Sequence, residues 1–91
     1  MKVIHKHHLE RQERNCIDLP IGAEVLSFQI QNTLPTIWVL LDPHEQEYET
    51  RVFDMYGTGN IITEEEGMYY NYIGTIMFPV YVWHLFEVTP Q

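Results

Sequence analysis

The chain has 91 residues, a formal net charge of −8 and 45% hydrophobic residues. It is long enough for one domain with a single modest core and too apolar for global disorder. Its acidity excludes long-range attraction to DNA, RNA or an anionic membrane surface.

In chain order, His7 to Arg14 carries too little apolar surface for a packed helix and reads as the end of a first strand followed by a polar turn. This basic segment, residues 1–14, is expected at the periphery of a single domain spanning 1–91. Cys16 to Leu19 is a short strand ended by Pro20. Pro20-Ile21-Gly22-Ala23 reads as a turn, with proline fixing φ and glycine free to take φ > 0. Val25 to Gln31 alternates, with Leu26, Phe28 and Ile30 on one face, which predicts a half-buried strand. Asn32 to Pro35 is a hairpin connection. Thr36 to Leu41 is nearly all apolar and predicts a central strand covered on both faces.

Asp42-Pro43 ends that strand, and His44 to Glu49 reads as an acidic loop. Thr50 to Tyr56 predicts a strand with Arg51, Phe53 and Met55 on one face and Val52, Asp54 and Tyr56 on the other. Gly57-Thr58-Gly59-Asn60 breaks it, and Thr63 to Gly67 is an acidic tip. Tyr69–Met77 and Tyr81–Val88 form a closing hairpin over Phe78-Pro79-Val80. On the last strand Val82, His84, Phe86 and Val88 make one plausible core face. Tyr81, Trp83 and Leu85 then suit a subunit interface or a base-stacking platform. About seven short strands without helical interludes predict an all-β fold, an antiparallel sandwich or partly open barrel.

The charges are unevenly placed. From Asn15 onward eleven Asp and Glu residues accompany one cation, Arg51, while Lys2, Lys6, Arg11 and Arg14 all precede it. A lone Arg in an acidic body has two uses. It can pair with a carboxylate, Asp54 or Glu49, or its planar fork can clamp a phosphate or a guanine edge. Tyr56-Gly57-Thr58-Gly59-Asn60 is either a β-turn or a place where backbone N–H groups approach an anion. It is neither a dinucleotide fingerprint nor a P-loop, because the third glycine and the Gly-Lys-Ser/Thr are missing. Trp38 and Trp83 are candidate stacking faces. His5 and His7 share a strand face but lack a third metal ligand, so no metal or other cofactor is expected. No paired carboxylate, nucleophile elbow or activated thiol is visible, so the expectation is a protein that is not an enzyme.

Cys16 is the only cysteine, which fits a reducing compartment. Gly74 to Trp83 is too short to span a bilayer and is broken by Pro79. No apolar leader is evident, so the expected location is cytosolic. The aromatic surface, large for so small a volume, suggests a homodimer.

Several stretches carry a family resemblance: Asp18 to Asn32, Thr36 to Pro43, Glu49-Thr50-Arg51, Tyr56 to Gly59, Tyr72 to Thr75 and Trp83 to Glu87. In order and spacing they resemble a family of small bacteriophage and prophage proteins catalogued as a domain of unknown function. The resemblance implies a phage-encoded accessory protein in the host bacterial cytoplasm. The chain further resembles phage anti-CBASS sponges, and that resemblance implies a protein that sequesters cyclic dinucleotide immune signals such as 3′,3′-cyclic GMP–AMP without cleaving them. The expected ligand site is then Arg51, Tyr56, Gly57, Thr58, Gly59, Asn60, Trp38 and Trp83. The alternative expectation is an acidic inhibitor that caps a basic groove on a host defence or nucleic-acid-binding protein.

Overall fold

The computed structural model describes all 91 residues. The chain forms seven strands and no helix: β1 (Val3–His8), β2 (Arg14–Pro20), β3 (Glu24–Gln31), β4 (Leu34–Leu41), β5 (Tyr48–Gly57), β6 (Met68–Met77) and β7 (Val82–Pro90). They make two antiparallel sheets, ordered β1-β4-β3 and β2-β5-β7-β6. The sheets stack as a sandwich rather than closing into a barrel, and apolar side chains from both fill the space between them. Leu19, Ile37, Val39, Phe53, Met55 and Leu85 are at most 2% exposed and form the centre of that core.

Turn chemistry sets the register. The Ala23 N–H donates to the Pro20 carbonyl at 3.1 Å, and Gly22 takes φ +85°, as the predicted turn requires. Asn32 and Thr33 form a two-residue hairpin loop with φ of 50° and 66°. Both values suit the type I′ turn that matches strand twist.

The basic N-terminal segment contributes an edge strand and the turn that follows it. β1 pairs with β4 along its whole length, and Leu9 is 2% exposed. Lys6 reaches Gln31 Oε1 at 2.7 Å, and Arg14 pairs with Asp54. The polar character of this segment reflects an edge strand with much of its surface exposed.

Three face assignments change. β3 carries a bulge between Val25 and Ser27, so Val25 and Phe28 face the core while Leu26 is 45% exposed. β4 is central, but no third layer covers it. Ile37, Val39 and Leu41 are buried, whereas Trp38 and Leu40 are half-buried on the outer face. On β7 the core phase is Trp83 and Leu85, because Leu85 stands opposite inward-facing Met55. Strand 82–90 is also internal to its sheet rather than terminal.

β5 and β6 are both antiparallel to β7, which lies between them, so they run parallel. Their connection, residues 58–67, must therefore cross β7, and it does so on the outer face. Arg14 Nη1 holds Glu65 Oε1 at 2.9 Å, and the Glu65 N–H donates to the Tyr70 hydroxyl at 2.9 Å. This strap leaves Asp54 2% and Tyr56 5% exposed although both point away from the core.

Candidate functional site

Trp83 stands opposite Gly57 on one side and Ile76 on the other, at the end of the four-stranded sheet. Beyond Gly57 the chain turns. The Asn60 N–H donates to the Gly57 carbonyl at 3.0 Å, the Thr58 N–H to the Val82 carbonyl at 3.2 Å, and Gly59 takes φ +89°. Gly-Thr-Gly-Asn is thus a β-turn that uses these two donors to close itself and to join β7. Its side chains, not a nest of free N–H groups, face outward. Asn60 lies over Gly57: a Cβ at Gly57 would come 3.1 Å from Asn60 Nδ2.

Two adjoining cavities open here. One, of about 330 Å³, is lined by Gly57, Thr58, Asn60, Val80, Tyr81, Val82 and Trp83. The other, of about 300 Å³, is lined by Arg11, Phe78, Pro79, Val80, Tyr81 and Trp83. They share Val80, Tyr81 and Trp83. The Tyr81 and Trp83 rings lie 6.1 Å apart with planes at 44°. Arg11 stacks its guanidinium over Phe78 at 5.2 Å and donates to the Thr33 carbonyl. One lobe therefore offers a cation beside aromatic rings, and the other a hydroxyl and an amide.

Thr58 is held from behind. Its Oγ1 is 2.7 Å from His84 Nε2, His84 Nδ1 is 2.9 Å from Thr75 Oγ1, and Thr75 Oγ1 is 2.5 Å from the Tyr72 hydroxyl. This chain of polar groups crosses the outer face from β6 to the turn and fixes the Thr58 rotamer.

The structure gathers only part of the expected site. Gly57, Thr58, Asn60 and Trp83 come together, with Gly59 supplying the turn conformation. Arg51 does not join them. It lies between the sheets, 15% exposed, pairing in bidentate fashion with Glu87 (Nη2 to Oε1 at 2.9 Å) and donating to the Ala23 carbonyl at 2.7 Å. The hydrogen bond to Glu87 is the main reason its pKa is raised. Glu49 lies farther off, at 3.7 Å, and Asp54 faces the opposite side of the sheet.

Tyr56 is also committed. Its hydroxyl donates to Asp54 Oδ2 at 2.9 Å, and Asp54 accepts Nε and Nη2 of Arg14 at 2.7 and 2.9 Å. Burial first, and then the Asp54 hydrogen bond, push the Tyr56 phenol pKa upward. Trp38 lies on the outer face of the other sheet, opposite Lys6 and Ser27.

Sequence reasoning missed Arg11 and Phe78. Phe78 was within reach, because a hairpin brings its turn beside the end of β7. Arg11 was not, because only the three-dimensional crossing of the β1–β2 connection brings it there. No three His, Cys, Asp or Glu side chains come together as a metal site. His5 and His7 both face inward beside Asp18 and Tyr48 in a cavity of about 130 Å³.

A family model for a domain of unknown function, DUF7352, matches residues 1–91. The chain belongs to this family. No curated protein and no solved structure matches it significantly. No helix is long and apolar enough to cross a membrane.

Proposed function

We propose that this protein is a phage-encoded, non-catalytic binding protein that sequesters a cyclic dinucleotide immune signal of the 3′,3′-cyclic GMP–AMP type in the host cytoplasm. The observation that carries the reading is the paired cleft around Tyr81 and Trp83. Each lobe has the volume of a small-ligand pocket, and the rings between them offer stacking faces to a purine base. Arg11 supplies the one guanidinium at the cleft, suited to a phosphate or to the acceptor edge of guanine. Thr58 and Asn60 supply neutral hydrogen-bonding groups on the far side. Affinity then comes from short-range contacts, because the −8 charge repels a dianion at a distance.

A thermal-shift panel of cyclic dinucleotides tests this. A ligand at a hundred times its Kd adds about 2.7 kcal/mol of stability. Trp83→Ala and Arg11→Ala should remove the shift, and intact nucleotide should be recovered after denaturation. Absence of a shift with every cyclic dinucleotide overturns the reading.

One observation favours a second reading, the acidic inhibitor. Glu87 neutralises Arg51, so the exposed carboxylates of Glu47, Glu64 and Glu66 have no cation nearby in sequence. Salt-sensitive capture of a basic host protein, with no nucleotide shift, would support that alternative.

A further inference from the structure

A sandwich of two open sheets has four edge strands, here β1, β3, β2 and β6. Edge strands with free backbone groups invite pairing, and proteins block them with charge, proline or bulges. β1 carries Lys6, and its neighbours His5, His7 and His8 are ionisable. β2 carries Arg14 and Asp18 and ends at Pro20. β3 begins with Glu24 and is kinked by the bulge at Leu26.

β6 differs. Its ten residues, Met68 to Met77, include no charge and no proline. Its one irregularity lies between Tyr72 and Gly74. The backbone of Tyr69 to Met77 pairs only with β7, so its other side is open. Tyr69, Tyr72 and Met77 are 56%, 60% and 73% exposed along it. β3, the edge packed against β6 from the other sheet, adds exposed Leu26 and Ile30 and the single carboxylate of Glu24. The β6 edge strand itself is thus free of charge in a chain of net charge −8.

We infer that this edge is a self-association surface and that its occupant is a second copy of the chain, paired antiparallel through β6 about a two-fold axis. An antiparallel strand pair is self-complementary, which is what an isologous contact requires. The charge distribution selects this edge. Two copies, each at −8, meet with least repulsion along an edge strand that carries no carboxylate of its own. Pairing joins the two four-stranded sheets into one continuous sheet and removes the exposed edge. The inference is independent of the ligand reading.

Sedimentation velocity over a range of protein concentrations tests it. The wild-type chain should sediment as a dimer, twice 10.9 kDa, when concentrated. Its association should strengthen as salt screens the mutual repulsion. The double variant Tyr69→Lys, Met77→Lys should be a monomer under the same conditions, with an unchanged far-ultraviolet circular dichroism spectrum. Ile4→Lys, on the β1 edge, should remain dimeric. A wild-type monomer at all concentrations overturns the inference. So does an assembly other than a dimer, or a dimer lost in the Ile4 variant and kept in the β6 variant.

Discussion

At the residue scale, the one arginine of the body interior, Arg51, is held by a carboxylate and stabilises the sandwich. Arg51 and Glu87 are 15% and 14% exposed, and their bidentate pair ties β5 to β7, while Arg51 also reaches the Ala23 carbonyl. Removing one partner strands a poorly solvated charge. Glu87→Ala should therefore cost about 3 kcal/mol in chemical denaturation, and replacing both residues with apolar ones of similar size should recover most of it. His7 behaves differently. Its Nε2 is buried without a hydrogen-bond partner, and burial, followed by repulsion from His5, lowers its pKa from the ordinary 6.5. The unfolded chain takes up a proton that the folded one resists, so stability should fall as pH drops below about 6.5. One such group gives a slope of at most about 1.4 kcal/mol per pH unit. His7→Leu should flatten the stability profile between pH 7 and 5, read by denaturant midpoints at each pH. The residue types around Arg51 announced an ion pair in the sequence. Its partner was not legible, because Glu87 is 36 positions away and becomes a neighbour only through β5–β7 pairing.

At the element scale, the strands were legible because their apolar residues alternate and their turns carry Pro, Gly and Asn at the positions that need them. The phase of those strands was less legible. A bulge adds one residue and shifts the side chains beyond it to the other face, as at Leu26 and between Tyr72 and Gly74. On β7 both faces are apolar, one against the core and the other beneath aromatic contacts such as Tyr72–Phe86 at 5.6 Å. Alternation alone could not choose between them. The Asn32-Thr33 turn makes a test of local strain. Thr33 is β-branched at φ 66°, a conformation that disfavours a Cβ. Thr33→Gly should raise stability by about 1 kcal/mol, seen as a higher melting temperature with an unchanged fold.

At the scale of the whole molecule, the fold brings together only part of the residue set that the sequence suggested. It joins the Gly-Thr-Gly-Asn turn to Trp83, and it sends Arg51, Tyr56 and Trp38 elsewhere. Arg51 lies between the layers, Tyr56 under the strap and Trp38 on the opposite outer face. The cation that does reach the cleft comes from the N-terminal segment, where the chain keeps its other basic residues. Of the N-terminal cations, Arg11 is the one that lines this cleft. Because the two tryptophans lie on different sheets, fluorescence can separate them. With Trp38 replaced by Phe, Trp83 is the sole indole, and it reports on the cleft directly. Titrating this variant with 3′,3′-cyclic GMP–AMP should quench its emission saturably, and Arg11→Ala should weaken the response at least tenfold. Unchanged Trp83 emission at saturating concentrations of every cyclic dinucleotide would contradict the account.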